Sequence, residues 1–184
     1  SLKKLPGKYI IASASSSYEK VSDDMFLLDL KSDSDLERLF AEKVITSAGR
    51  LNVICFARKV EDYETLPPYD AALEHCNLLL KLIRTIKATT FNQTPCLKII
   101  TCNSQNVISG DRVEGLSMSS LWGFAKVINL EHPEFNAIII DTDEVTDKTK
   151  VISDSAEETI ETFTAYRDGK KFVARISEAK PASS

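Results

Sequence analysis

Cys55, Cys76, Cys96, Cys102, His75 and His132 are the residues whose types could hold a metal or supply a nucleophile. A structural metal site needs such ligands clustered at short spacing. None of the four cysteines pairs as C-x-x-C, and His75 and Cys76 are adjacent, so on a helix they point to different faces. Cys55 and Cys102 sit inside apolar strand-like runs, and Cys76 lies on a helix face. Buried free thiols in a reducing, cytoplasmic compartment fit this usage, and no metal is expected.

Acid–base chemistry would fall to other residues. Asp29, Asp141 and Asp143 lie at the ends of strand-like runs, where α/β sheets place functional carboxylates. No His or Lys cluster converges with them in sequence, so they read as solvated caps. Tyr63 and Tyr69 flank an acidic loop and read as packing residues. Lys81, Arg84 and Lys87 form a basic edge on a long helix, a pattern usual for solvated surface. Ser104 lies in a polar loop and reads as a turn residue without a catalytic partner.

The elements that must carry these residues alternate between strands and helices. Leu116 to Phe135, LSMSSLWGFAKVINLEHPEF, organises the rest and reads as one helix with a firm stop. Leu121, Phe124, Ala125 and Ile128 recur with the period of a helix face turned toward a core, with Met118 and Trp122 extending it. Pro133 stops this helix, and Ala137 to Asp141 follows as a buried strand. Upstream, Lys8 to Ala14 and Met25 to Leu30 read as strands separated by a polar passage, Ser15 to Asp24. That passage has room for a loop with one turn of helix, short of the usual parallel crossover.

Ser34 and Glu37 form a capping box opening a helix whose apolar face is Leu36, Leu39, Phe40 and Val44, with Gly49 as its stop. Leu51 to Ala57 is a third strand, and Val60 to Pro68 an acidic loop. A helix from Asp70 to Ala88 places Leu73, Cys76, Leu79, Leu80, Ile83 and Ile86 on one side. Cys96 to Cys102 is the fourth strand, and Asn103 to Gly115 a polar loop. Ser155 and Glu158 read as a second capping box, opening a helix with Ile160 and Phe163 inward. Arg167 to Lys170 then turns into a last strand, Lys171 to Ile176. This order predicts an α/β fold of three layers, a mostly parallel sheet with flanking helices.

The bulk numbers narrow the class. A chain of 184 residues is long enough for one domain with a real core. Its net charge of −4 gives no electrostatic footprint for DNA or RNA. No apolar run reaches the roughly 18–20 residues that span a bilayer, and no long apolar stretch follows the N-terminus as in a signal peptide. Neither nucleic acid nor membrane is expected as a partner.

The words LWGFAKVINLEHPEF and AYRDGKKFVARI, Ala165 to Ile176, resemble the ketoreductase region of modular polyketide synthases and related fatty acid synthases. In that family a Leu-Trp-Gly helix ending in Glu-His-Pro-Glu precedes a strand, and a Tyr-Arg-Asp-Gly-basic turn leads into a last strand. These words close the ketoreductase's first half, a truncated Rossmann-like structural subdomain that binds no cofactor and braces the catalytic half. The resemblance covers about residues 6 to 177. It implies linkers at 1–5 and 178–184 around a truncated Rossmann-like subdomain at 6–177.

A short-chain dehydrogenase site would need a Gly-rich turn, a Tyr-x-x-x-Lys pair, a serine and an asparagine. The glycine turn lets backbone approach the cofactor pyrophosphate at a helix N-terminus. The resemblance places it on Ala12 to Glu19, where Ser13, Ser17 and Glu19 stand at the glycine positions. The Tyr and Lys positions fall on Glu114 and Met118, which cannot provide a phenol–ammonium pair. Ser104 falls near the catalytic serine.

The expectation is a non-catalytic structural subdomain, or pseudo-ketoreductase, of a modular polyketide synthase. Catalytic, cofactor-binding and metal-ligating residues are expected to be absent, with no cofactor. The expected partners are a catalytic ketoreductase subdomain or other domains of the same synthase. The alternatives are a divergent NADPH-dependent ketoreductase and a docking or dimerisation module of the same synthase.

Overall fold

A computed structural model describes residues 8–13, 18–22, 25–41, 51–57, 67–156 and 161–176. Eight strands form one sheet: β1 (Lys8–Ser13), β2 (Glu19–Ser22), β3 (Met25–Asp29), β4 (Leu51–Phe56), β5 (Cys96–Cys102), β6 (Ile138–Thr142), β7 (Phe163–Arg167) and β8 (Lys170–Val173). Among the described residues four helices flank it: α1 (Asp33–Ala41), α2 (Pro68–Ala88), α3 (Ser120–Glu131) and α4 (Lys148–Ala156). The strand order is β2-β3-β1-β4-β5-β6-β7-β8. The six strands from β3 to β7 pair in parallel, and an antiparallel strand closes each edge.

Parallel strands with both faces covered read as continuous apolar runs. Every residue of β6 is buried, and β5 is buried from Cys96 to Thr101. One face packs Ile10, Val53, Ile99 and Ile139 against Leu36 and Leu39 of α1, Leu79, Leu82 and Ile86 of α2, and Leu121, Ala125 and Ile128 of α3. The other packs Ile11, Ile54, Ile100 and Ile140 against Val151 and Ile152 of α4. Each such side chain contributes roughly 1.5–3 kcal/mol relative to exposure.

The organising stretch divides in three. Leu116–Ser119 is a 3-10 turn, α3 follows, and Pro133–Phe135 is a second 3-10 turn. It is therefore not one helix, although the proline stop falls where the sequence puts it. Asn136 adopts a left-handed backbone (φ 43°), a conformation asparagine tolerates. The Asn129 amide then grips the strand entry, donating to Ala137 O and accepting from Ala137 N, both at 2.8 Å.

Elsewhere the structure corrects the sequence reading. The described part of the Ser15–Asp24 passage, residues 18–22, carries a strand the sequence reading did not expect, β2, which pairs antiparallel with β3. The capping box at Ser34 is not used: α1 begins at Asp33, and Ser32 Oγ accepts from Asp35 N at 3.2 Å. Ser32 thus takes the capping role two residues earlier, toward a different amide, and Asp29 N donates to Asp35 Oδ2 at 3.4 Å.

The buried face of α2 is Ala71, His75, Leu79, Leu82, Ile83 and Ile86, a tighter helical period than the one containing Leu73 and Leu80. Leu73 and Tyr69 are exposed, so Tyr69 does not pack. Ser155 lies within α4 instead of capping a helix start, and its hydroxyl donates to Ile152 O. Phe163 belongs to β7, which forms a hairpin with β8 across Asp168 and Gly169. Both turn residues have positive φ, the geometry of a two-residue turn matched to strand twist. Tyr63, Val44, Gly49, Ile160, the Phe40 side chain, most of the acidic loop and both expected linkers lie outside the described residues.

Candidate functional site

The polar centre of the molecule lies at the C-terminal ends of β5, β6 and β7. Asp141 is fully buried there. Its Oδ1 accepts from Thr101 Oγ1 at 2.7 Å, Ser104 Oγ at 2.7 Å and Ser104 N at 2.9 Å. Its Oδ2 accepts from Arg167 Nη2 at 2.7 Å and Gln105 N at 3.4 Å. Arg167 in turn donates through Nε to Asp111 Oδ2 at 2.9 Å, and through Nη2 and Nη1 to the carbonyls of Gln105 and Tyr166 at 2.8 Å. One guanidinium thus ties β6, β7 and the 103–115 loop together.

Asp141 is not the solvated cap that its strand-end position suggests. A buried carboxylate survives only with compensating donors, and its partner Arg167 sits on a neighbouring strand. Nor is Ser104 a turn residue lacking a partner: it is 2% exposed and enclosed by polar groups. A serine hydroxyl carries one proton and two lone-pair sites. The proton faces Asp141 Oδ1, Thr101 Oγ1 lies 2.8 Å away, and Trp122 Nε1 donates to Ser104 Oγ at 3.1 Å. Chemically this arrangement holds a loop closed over the sheet.

Electrostatics support the same conclusion. For Asp111, burial is the largest influence and raises the pKa. Amide hydrogen bonds from Val107 and Ile108, with the bond and charge of Arg167, outweigh it and hold the carboxyl below its ordinary value. Asp143 is lowered the same way, against burial, by Thr146 and the Asp168 amide. For Arg167 burial pulls the pKa down, and Asp141 and Asp111 more than restore it.

A carboxyl with a depressed folded pKa contributes stability above its unfolded value, and that contribution is lost as pH falls through the folded value. Stability should therefore decline below about pH 4. Urea midpoints across the acid range should fall less steeply in Asp111→Asn than in the parent chain.

The remaining candidates disperse. Asp29 accepts from Lys31 N at 2.9 Å in a local turn. Lys81 is not solvated surface: its Nζ lies 2.6 Å from Asp33 Oδ1 and donates to the Leu30 carbonyl at 3.1 Å, pinning the start of α1. Arg84 is exposed, and Lys87 Nζ lies 3.2 Å from His132 Nε2. His75 is buried, which lowers its pKa. The four cysteines are free thiols; Cys55 and Cys96 are buried and Cys76 and Cys102 half-buried. Burial pushes the Cys55 thiol up to about 12. Among the described residues, no group of His, Cys, Asp and Glu could hold a metal, and no helix is long and apolar enough to cross a membrane.

Glu114 is exposed, and Met118 is fully buried. Glu19 opens β2 with its side chain exposed, and residues 14–17 of the turn lie outside the described residues. Sequence reasoning missed Arg167 and the indole of Trp122. The available signal was the pair of opposite charges closing two apolar strand runs, Asp141 and Arg167.

The fold and this strand-end network define a Rossmann-like α/β domain. A family model described as the Rossmann fold domain of polyketide synthase extender module SpnB matches residues 12–176, and the chain belongs to that family. It is a ketoreductase-like Rossmann domain of the polyketide synthase type.

Among solved structures, a C2-type ketoreductase from a modular polyketide synthase superposes with a TM-score of 0.72 at 18% identity, covering 97% of this chain and 43% of that one. A-type ketoreductases from a modular synthase give 0.71 at 18%, covering 98% and 40%. These likenesses concern the fold. A mycocerosic acid synthase-like polyketide synthase of Mycolicibacterium smegmatis is 32% identical over 103 residues, 56% of this chain. A phenolphthiocerol/phthiocerol polyketide synthase polypeptide of Mycobacterium tuberculosis is 28% identical over 165 residues, 85% of this chain. The chain spans 5% and 7% of the length of these two relatives.

Proposed function

We propose that this chain is a non-catalytic structural subdomain, or pseudo-ketoreductase, of a modular polyketide synthase. It braces a catalytic ketoreductase subdomain or neighbouring domains of the same synthase, and residues 6–177 form the unit. The observation that carries this reading is the route out of β1. A dinucleotide fold follows its first strand with a helix whose N-terminal amides meet the pyrophosphate. Here β1 ends at Ser13 and β2 begins at Glu19, so residues 14–18 leave no length for that helix.

The proton inventory supports the same reading. Ser104 is enclosed by Asp141, Thr101 and Trp122, and the positions matching the family's Tyr and Lys hold exposed Glu114 and buried Met118. These residues do not fit a nicotinamide site.

Titration of the purified chain with NADPH, followed by nucleotide fluorescence and calorimetry, tests the proposal. No saturable binding up to about millimolar nucleotide is expected. Micromolar binding would overturn the reading and favour a divergent reductase.

A further inference from the structure

At the far edge of the sheet a groove of about 210 Å³ runs between the 103–115 loop, α3 and the β7–β8 hairpin. Its walls include Trp122, Phe163, Phe172, Ala174 and Asn106. The Trp122 and Phe163 rings lie 5.9 Å apart at 30°, and Lys126 Nζ sits 5.4 Å from the Phe163 centroid. Phe172 is half-buried, while its neighbour Val173 is exposed.

The hairpin register states which backbone groups face outward. Ala174 N donates to Phe163 O, which makes Phe163 and Ala174 a hydrogen-bonded pair. Such pairs alternate along an antiparallel ladder. With Ala165 opposite Phe172 and Thr164 opposite Val173, Phe172 and Ala174 bond inward to β7. The amides and carbonyls of Lys171, Val173 and Arg175 then point away from the sheet.

Side chains alternate with the same period. Phe172, Val173 and Ala174 all border the groove; by this alternation the side chains of Phe172 and Ala174 share one face of the hairpin, and those of Lys171, Val173 and Arg175 the other. Lys170, Lys171 and Arg175 along this edge are exposed in a chain whose net charge is −4. Arg175 and Glu161 already engage each other, which among the described residues leaves Lys171 as the cation open to a partner on that face. Asp168 sits at the hairpin tip, where its amide donates to Asp143.

Lysines on an edge strand also serve to discourage indiscriminate pairing. A strand blunted for that purpose alone would have no use for an aromatic groove beside it. Together the two features admit one kind of strand and repel others.

We propose that the outer edge of β8 with this groove docks an extended, acidic segment by strand addition. On this basis the segment alternates large apolar side chains, which enter the groove, with acidic ones, one of which faces Lys171. Strand addition takes affinity from main-chain bonds and specificity from pockets for alternate side chains. The inference that the segment comes from another domain of the same synthase rests on the bracing role proposed above.

Trp122 is the only tryptophan, so intrinsic fluorescence reports on the groove directly. The probe is an acetylated, amidated peptide alternating glutamate with phenylalanine and leucine; its control carries lysine for every glutamate. The glutamate peptide is expected to give a saturable change in Trp122 emission at least about tenfold tighter than the control.

Val173→Pro removes an outward amide donor without breaking a bond to β7, because proline is tolerated at a sheet edge. It should weaken binding about tenfold or more, and Lys171→Glu should reverse the preference between the peptides. Circular dichroism checks that both variants fold, and Lys171→Glu decides the matter if Val173→Pro does not. Equal binding of the two peptides, no saturable change, or an unaffected Lys171→Glu would overturn the proposal. The NADPH titration is a separate readout: silence there with a failed peptide test removes the docking edge and leaves the non-catalytic reading standing.

Discussion

Replacing Arg167 by methionine is expected to destabilise the chain by about 3–5 kcal/mol, the usual cost of stranding a buried charge. The magnitude follows from what remains. Asp141 is fully buried, and Arg167 is its charge partner at 2.7 Å. With the guanidinium gone, that carboxylate keeps its hydroxyl and amide donors but loses its countercharge, and Asp111 loses the same cation.

The test is urea unfolding followed by Trp122 fluorescence and circular dichroism together. A shift of the midpoint in Arg167→Met by less than about 1 kcal/mol equivalent would refute the account. Asp141→Leu combined with Arg167→Met should recover much of the loss, because replacing both partners by apolar groups removes the unpaired charge. The exposed pair Arg175–Glu161 is the contrast. Solvent screens it, so Arg175→Met should leave the midpoint unchanged.

The same residues explain how much is legible in the sequence. Strand β5 is readable at both ends, because an unbroken apolar run between polar loops has few other uses. The proline stop before β6 is equally clear, since Pro133 acts through its own ring. Local patterns shared by many structures mislead. Ser34-x-x-Glu37 and Ser155-x-x-Glu158 both match a capping box, yet Ser32 opens α1 and the backbone of Thr149 is met by Asp147 near the start of α4. A cap motif is meaningful only beside the first buried turn, and burial is a tertiary fact.

Strand β2 escapes the sequence for a similar reason. Its four residues, Glu19 to Ser22, are exposed or half-buried and carry no apolar alternation. The network around Asp141 is illegible because it depends on β6 lying beside β7. Reading Phe163 as helical removes β7, and with it the strand that carries Arg167 to its partners.

Gly115→Ala is expected to be the second severe substitution, and its cause is proximity. Gly115 has an ordinary negative φ of −89°, so alanine could adopt its backbone. The space is what fails: a Cβ there would lie 2.1 Å from the Cys102 carbonyl oxygen and 2.6 Å from Met118 Cε. The methionine end can swing away; the carbonyl belongs to β5. Gly115 is also fixed on both sides, its amide donating to Asn103 O at 2.9 Å and its carbonyl accepting from Met118 N at 2.9 Å. Relief would require lifting the loop end from the sheet, breaking the bonds that place the 3-10 turn before α3.

A cost at or above the top of the ~1–3 kcal/mol range for overpacking is expected. Gly123→Ala should change stability in the opposite direction. A Cβ at Gly123 meets nothing within 4 Å, and alanine in a helix interior is favoured by about 0.5–1 kcal/mol over glycine. Thermal and urea midpoints of the two single variants therefore make a paired test. If both glycines tolerate alanine alike, the close approach of the loop to β5 is not what positions α3, and the rigid loop end on which the strand-end network depends would have to be reconsidered.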